Sequence, residues 1–374
     1  MLIAKRGETL IMELIQKSLE RVSDRNSPAR RHAAGPAAGS PVLHGSAIAG
    51  AGLLMLLALC DAAPGFSLQI APDAGRIQIE SALVLVPVLV GDARGRFIPV
   101  LSPGSFTLYQ DGAPTPFSLF LTSDDPLRIA LLLDTSRSAA TILGKIKKAA
   151  QQFLLQLRPQ DLAMVIGFDS EIRMLCPLSS DRKELEEGIR SAKIGGSRTR
   201  MRDAIVDVAE RRFQTVSGRT AIVLLTDGQD HGSRVSATDL HDAVAASGTP
   251  IYSIFYTVDP RELMRELFGV SSRLPRSGTG RARGGEGSWE EDEERAALHL
   301  QQISDLSAGR FFRSTSGDFD GIFKRIAEEL RSQYLLGFYP DKSKLDGVMH
   351  SLEVRVGLPG AMVRSRRSYR AAKP

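Results

Sequence analysis

Cysteine is almost missing from this chain, and that removes a whole class of folds. Only Cys60 and Cys176 occur in 374 residues. Cys60 lies in an apolar segment that reads as an export signal. If that segment is cleaved there, Cys176 is left alone and no internal disulfide can form. The six histidines and two cysteines have no ligand-like spacing, which excludes a structural zinc site. Neither sign of charge dominates: 48 Lys and Arg against 43 Asp and Glu give a formal +5. No basic stripe with interleaved aromatics occurs, so no nucleic-acid partner is expected. The P-loop pattern G-x-x-x-x-G-K-S/T is absent, which argues against nucleotide hydrolysis. The G-x-S-x-G elbow of serine hydrolases is absent too.

What remains is the composition of an ordinary globular protein, 43% apolar and 24% charged. The length leaves room for two or three domains. Near the start, SAIAGAGLLMLLALC (46–60) follows Arg30, Arg31 and His32 and precedes Ala62 and Ala63. It is short for a spanning helix, which needs roughly 20 residues, and fits the apolar centre of a signal peptide over 46–63. The expected location is therefore export: periplasm, cell envelope or outside. Residues 1–45 are long for the basic segment of a signal. Either the true start lies downstream of Met1, or the chain keeps a cytoplasmic tail and an uncleaved anchor, its one route to a membrane. A lipoprotein reading through Cys60 is weakened by bulky Leu59. Leu10, Ile11, Leu14, Ile15, Leu19 and Val22 share one helical face, read as a short amphipathic helix.

Two kinds of pattern follow. Residues 67–122 read as β: Ile77–Ile79 alternates, Ala82–Val90 is rich in Val and Leu, and turn signals stand at Asp92–Gly95 and Asp111–Gly112. From about Leu127, strands and helices alternate, the signature of an α/β fold with a mostly parallel, doubly wound sheet over 126–331. Strands are expected at Arg128–Leu133, Leu162–Phe168, Ala221–Thr226, Ile251–Tyr256 and Arg310–Phe312. Helices are expected after Ile142, after the cap Asp181, over Arg202–Phe213, over Asp239–Ala246 and along Phe319–Leu330. Residues 270–295 break the rhythm with a basic, Gly-rich half and an acidic half that carries the only tryptophan, Trp289. This composition predicts a disordered insertion, or else a partner-binding loop at the rim of the site. Beyond it, 332–371 returns to β. The expectation is one small β domain assembled from the segments on both sides, with the α/β domain inserted between them.

Three oxygen-bearing clusters fall on loop edges of this α/β pattern. DTSRS runs from Asp134 to Ser138, Thr199 stands in GGSRTRMRDA, and Asp227 follows the strand AIVLLT. In doubly wound sheets ligands bind outside the carboxyl ends of the strands. Two carboxylates balance one Mg²⁺, three hydroxyls add neutral oxygens, and octahedral coordination leaves places for water or an outside ligand. A partner's carboxylate would suit the open place. No general base lies in the three motifs, so such a site grips rather than cuts.

DTSRS resembles the D-x-S-x-S of the metal-ion-dependent adhesion site in von Willebrand factor type A (VWA) domains. Thr199 is similar to that family's second-loop Thr, and Asp227 in LLTDG to its third-loop Asp. GDARGRFIPVLSPGSFTLYQDGAP, ELRSQYLLGFYP and VRSRRSYRA resemble the flanking modules of the bacterial VWFA-related group. The resemblance implies metal contact by Ser136, Ser138 and Thr199, with Asp134 and Asp227 acting directly or through water. It implies Mg²⁺, Mn²⁺ or Ca²⁺ as the ion, a protein partner offering an acidic side chain, and adhesion or complex assembly rather than catalysis. Two departures stand out. Arg137 occupies a place where Gly is usual, and the longer GGSRTR lets Ser197 compete with Thr199. The alternatives are a metal-dependent hydrolase or phosphoacceptor in the same acidic crevice, or a VWA scaffold without metal. A dehalogenase-type phosphatase would need Asp where Ser136 stands.

Overall fold

The computed structural model describes residues 83–213, 218–257, 286–314 and 319–372. The expected N-terminal helix, the 46–63 segment and the Ile77–Ile79 strand lie outside them. Among the described residues, no helix is long and apolar enough to cross a membrane.

The first strands are β1 (Val84–Gly91), β2 (Phe106–Gln110), β3 (Ala113–Thr115) and β4 (Leu119–Leu121). The α/β part follows with β5 (Leu127–Asp134), α1 (Leu143–Leu154), β6 (Leu162–Phe168), β7 (Ile172–Ser179), α2 (Arg182–Ser191), α3 (Met201–Val206) and β8 (Arg219–Thr226). It ends with α4 (Ala237–Ser247), β9 (Ile251–Tyr256), α5 (Glu286–Leu306), β10 (Arg310–Ser314) and α6 (Asp320–Arg331). The last strands are β11 (Gln333–Phe338), β12 (Met349–Val356), β13 (Met362–Ser365) and β14 (Ser368–Arg370).

The central sheet runs β10-β9-β8-β5-β6-β7, parallel throughout except for the β6–β7 hairpin. Strand β5 shows why it sits in the middle. Side chains alternate across a strand, and in LRIALLLD both sets are apolar. Ile129, Leu131 and Leu133 pack with α1, α2 and α6, while Ala130 and Leu132 pack with α3, α4 and α5. Each such Leu or Ile contributes roughly 1.5–3 kcal/mol by leaving water. Helix starts follow local chemistry: the Asp181 carboxylate accepts from Lys183 N at 2.8 Å, and the Ser236 hydroxyl from Asp239 N at 3.0 Å. Gly248, at φ 66°, closes α4 in the left-handed region.

Strands of the two flanking β segments pair with one another. Strand β1 pairs with β11 and β13, and β11 with β4; β12 pairs with β2 and β14, and β2 with β3, all antiparallel. Val86, Val88, Phe106, Leu108, Leu336 and Phe338 fill the core between these two sheets. Ion pairs and a hydrogen bond fasten this unit to the α/β body. Glu329 on α6, 1% exposed, is paired with Arg310 on β10 at 2.5 Å and with Arg364 on β13. Arg370 on β14 reaches Asp242 on α4 at 2.5 Å, and Arg366 donates to the Ala245 carbonyl at 3.1 Å, in the last turn of α4.

Three expectations need correction. The insertion expected over 270–295 does not extend to its end, because α5 already begins at Glu286; residues 270–285 lie outside the described set. The acidic run suits the positive end of a helix dipole. Arg313 holds Glu294 at 2.7 Å, while Ala297, Leu300 and Ile303 bury against the sheet. The helix expected over Arg202–Phe213 is α-helical only to Val206 and π-helical over Asp207–Arg212; Phe213 N bonds to Val208 O at 3.0 Å. Strand β7 was not expected at all. It is an edge strand, mostly half-buried and interrupted by Pro177, which dulls its periodic signal.

Candidate metal centre

Asp134 is the last residue of β5, and Asp227 directly follows β8, its neighbour in the sheet. The parallel pairing therefore brings two carboxylates to the same sheet edge. Both are buried, Asp134 at 0% exposure and Asp227 at 8%. Between them lie the serines of the first loop. Ser136 N donates to Asp134 Oδ1 at 2.9 Å, and the Ser136 and Ser138 hydroxyls are 2.9 Å apart. The Ser138 hydroxyl lies near Asp227 and opposes the rise of its carboxyl, and Asp227 Oδ1 accepts from Gln229 N at 3.0 Å. Asp134, Ser136, Ser138 and Asp227 thus gather at one sheet edge, with the paired serine hydroxyls beside the two carboxylates.

Burial, and after it the charge of Asp227, pushes the Asp134 carboxyl up to about 7. Burial raises Asp227 as well, against the opposing bond from Ser138. Among the described residues, neither carboxylate has a Lys or Arg partner. Two buried acids side by side without a cation are unfavourable, and a divalent ion would cancel both charges. The surrounding oxygens suit a hard cation such as Mg²⁺. No three acidic, His or Cys side chains gather as a metal group among the described residues. An ion here would therefore depend on the serine hydroxyls.

Thr199 is also buried, at 3% exposure, whereas Ser197 is exposed. Backbone bonds hold it between the neighbouring loops: Gly232 N donates to Thr199 O at 2.9 Å, and the next residue's N–H, Arg200, to Asp169 O at 3.0 Å. Among the described residues, no hydrogen bond joins its hydroxyl to the other four. Arg137 is exposed on the short turn Arg137–Ala139 and has no acidic partner among the described residues.

Several further residues support the site. The Thr226 hydroxyl donates to Asp134 Oδ2 at 2.7 Å and accepts from Gly228 N at 3.0 Å. Asp169 directly follows β6 and accepts the Thr135 hydroxyl at 2.8 Å. Burial pushes its carboxyl up, but Arg173, Thr135 and backbone N–H groups outweigh that and hold it low. The second loop must approach this carboxylate closely: a Cβ on Gly195 would collide with Asp169, and one on Gly196 with Ser170. That is the physical need for the GG pair. Asp203 ties the second loop to the third, accepting from Arg234 N and Val235 N at 2.9 Å and from Arg200 Nε at 2.7 Å. Beneath the acids, the Tyr256 hydroxyl is buried without a partner among the described residues. Burial, then the charges of Asp134 and Asp227, drives it well above the usual tyrosine range.

Comparison with known proteins bears on this arrangement. The sequence model of the von Willebrand factor type A domain matches residues 129–229. No curated protein matches the chain at a significant level. Among solved structures, a von Willebrand factor type A protein from Catenulispora acidiphila is 11% identical over 79% of this chain and 75% of its own, with a TM-score of 0.41. BatB from Bacteroides thetaiotaomicron is 20% identical over 55% of this chain and 97% of its own, with a TM-score of 0.38. Proximal thread matrix protein 1 of the mussel byssus, solved with a zinc-occupied MIDAS motif, is 14% identical with a TM-score of 0.39. That likeness covers 54% of this chain and 47% of the mussel protein, so the chain spans about half of that relative's length. The matched segment runs from β5 through the loop after β8 and takes in all five candidate ligands, Asp134, Ser136, Ser138, Thr199 and Asp227. Within the α/β body, residues 129–229 match the von Willebrand factor type A domain.

Proposed function

We propose that this is an exported protein that binds a protein partner through a divalent cation held by Asp134, Ser136, Ser138, Thr199 and Asp227. The observation that carries the reading is the pair of buried carboxylates beside two paired serine hydroxyls, with no Lys or Arg partner among the described residues. Bound Mg²⁺, or Mn²⁺ or Ca²⁺ in its place, would neutralise the pair and offer an open coordination position to a carboxylate of the partner. The chain's own part is to fix the oxygens. Thr226 orients Asp134, Gln229 N orients Asp227, and Asp203 holds the outer loops together.

The role is adhesion or assembly, not catalysis. The nearest histidine in the third loop, His231, is exposed and hydrogen-bonded with Gln229 at 3.1 Å, which leaves no base set over the acid pair. Isothermal titration of the full-length chain with Mg²⁺ tests the reading. Wild type is expected to bind in the micromolar-to-millimolar range and Asp134→Ala not at all. Equal heats from the two proteins would defeat it.

A further inference from the structure

Beside the acid pair lies a cavity of about 640 Å³. Thr135 and Gly195 form its inner wall and are themselves joined, Gly195 N donating to Thr135 O at 2.9 Å. Thr135 stands in the chain between Asp134 and Ser136, so the cavity and the proposed cation site share the first loop. Its outer wall carries Arg173, Arg190 and Lys193, with Glu187 as the acidic member. Glu187 is taken by Arg190 at 2.7 Å, and Asp169 by Arg173. Lys193 is exposed and has no acidic partner among the described residues. Lys147, half-buried on α1, joins the same edge by donating to the Arg190 carbonyl at 2.9 Å. Burial lowers its ammonium, and the nearby charge of Lys193 lowers it further. Arg137 adds another unpaired cation on the first-loop turn itself.

Arg190 and Arg173 already have acidic partners, so Lys193, with Lys147 close by, is the lining cation that an incoming anion would neutralise. We propose that this basic cavity receives a second carboxylate of the acidic partner segment whose first carboxylate caps the cation. The inference rests on the cation-dependent reading above and extends it: the partner is an extended, multiply acidic peptide segment rather than a lone Asp or Glu. An extended chain advances about 3.3–3.6 Å per residue, so a run of acidic residues can lay successive carboxylates from the ion into the cavity. Charge-assisted bonds from Lys193 and the guanidinium groups would hold them.

The test uses the full-length chain and fluorescein-labelled decaglutamate, with affinity read by anisotropy in Mg²⁺ and Mg²⁺ binding read separately by calorimetry. The cavity variant is Arg190→Ser with Lys193→Ser. The control, Lys324→Ser with Arg325→Ser on α6, removes the same charge at exposed positions elsewhere. The expected result is roughly tenfold weaker peptide binding for the cavity variant only, with unchanged Mg²⁺ heats in both. Equal weakening in the two variants would reduce the effect to net charge and overturn the proposal. A Mg²⁺ heat in wild type with peptide binding indifferent to the cavity variant would overturn it while leaving the cation reading intact. No Mg²⁺ heat in wild type would bring down the cation reading and this inference together. Displacement of the peptide by inorganic phosphate at matched ionic strength would reassign the cavity to small anions, again against the proposal.

Discussion

The Thr226 hydroxyl donates to Asp134 Oδ2 at 2.7 Å, joining the ends of two adjacent parallel strands that are 92 residues apart in sequence. Both groups are at 0% exposure. Thr226→Val keeps the shape but leaves Asp134 Oδ2 and Gly228 N–H without this partner. The expected cost is about 1–3 kcal/mol in denaturant unfolding, together with weaker Mg²⁺ binding. Thr226→Ser should recover most of both. A valine variant as stable as wild type would show that the bond is dispensable.

Asp134→Asn is expected to separate stability from binding. In the cation-free protein the Asp134 carboxyl holds its proton up to about 7, because of burial first and Asp227 second. The unfolded value is about 3.9. Between those values the folded state binds more protons than the unfolded state, so stability falls as pH rises from about 4 to about 7. The Asn variant removes that titration and one of two like charges. In EDTA near neutral pH it should melt higher than wild type. Added Mg²⁺ should then raise the wild-type Tm and leave the variant unmoved. A variant that melts lower in EDTA would contradict the repulsion.

His350 offers a separate pH dependence in the β unit. Its Nδ1 lies 2.9 Å from Asp111 and its Nε2 3.1 Å from Asp346, and its ring stacks on Tyr369. Burial pulls the imidazolium down, but the two carboxylates outweigh it and raise it above its ordinary value. A raised histidine stabilises fully below its unfolded pKa of about 6.5 and loses that contribution as pH climbs through its folded value. Wild type should therefore lose Tm above about pH 6.5, relative to a His350→Gln protein that lacks this titration. Parallel Tm curves for the two proteins would rule out the effect.

The trio Arg310, Glu329 and Arg364, in which only Glu329 is buried, should still be costly to break from the middle. Glu329→Gln leaves two guanidinium groups facing each other without a counter-charge; because both reach solvent, about 1–3 kcal/mol is expected to be lost. Adding Arg364→Met should restore part of it, a coupling that a double-mutant cycle measures directly. Additive losses would mean that the two groups act independently.

Much of the fold was legible because the buried strands are plain. Leu162–Phe168 and Ile251–Tyr256 begin and end where the apolar runs do, since both faces of each strand meet helices. Strand β7 escaped notice for the opposite reason: an edge strand buries too little to impose a period. The N-terminal part of α5 was masked by its acidic composition, which in isolation suggests disorder; the helix is anchored further along, where Ala297, Leu300 and Ile303 pack in the core.

The site was legible in its motifs and obscure in its supports. Asp134 and Asp227 announce themselves by ending apolar strands beside hydroxyl-rich turns. Asp169 follows β6 in the same manner and could have been found by the same rule. Thr226 offered no such signal, because a threonine closing a buried strand is usually only a β-former. Tyr256 was likewise indistinguishable from any aromatic in a core strand.

The α/β body departs from β4 and returns through β11, two strands that lie side by side, Leu121 opposite Leu335. Linking β4 to β11 in an unfolded chain would mean closing a very long loop, at an entropic cost that grows with its length. Once the intervening body has folded, its own ends already stand next to each other, and that cost has been met in advance. Assembly should therefore proceed from the inside outward, with the two outer sheets zipping up last around a body that is already native.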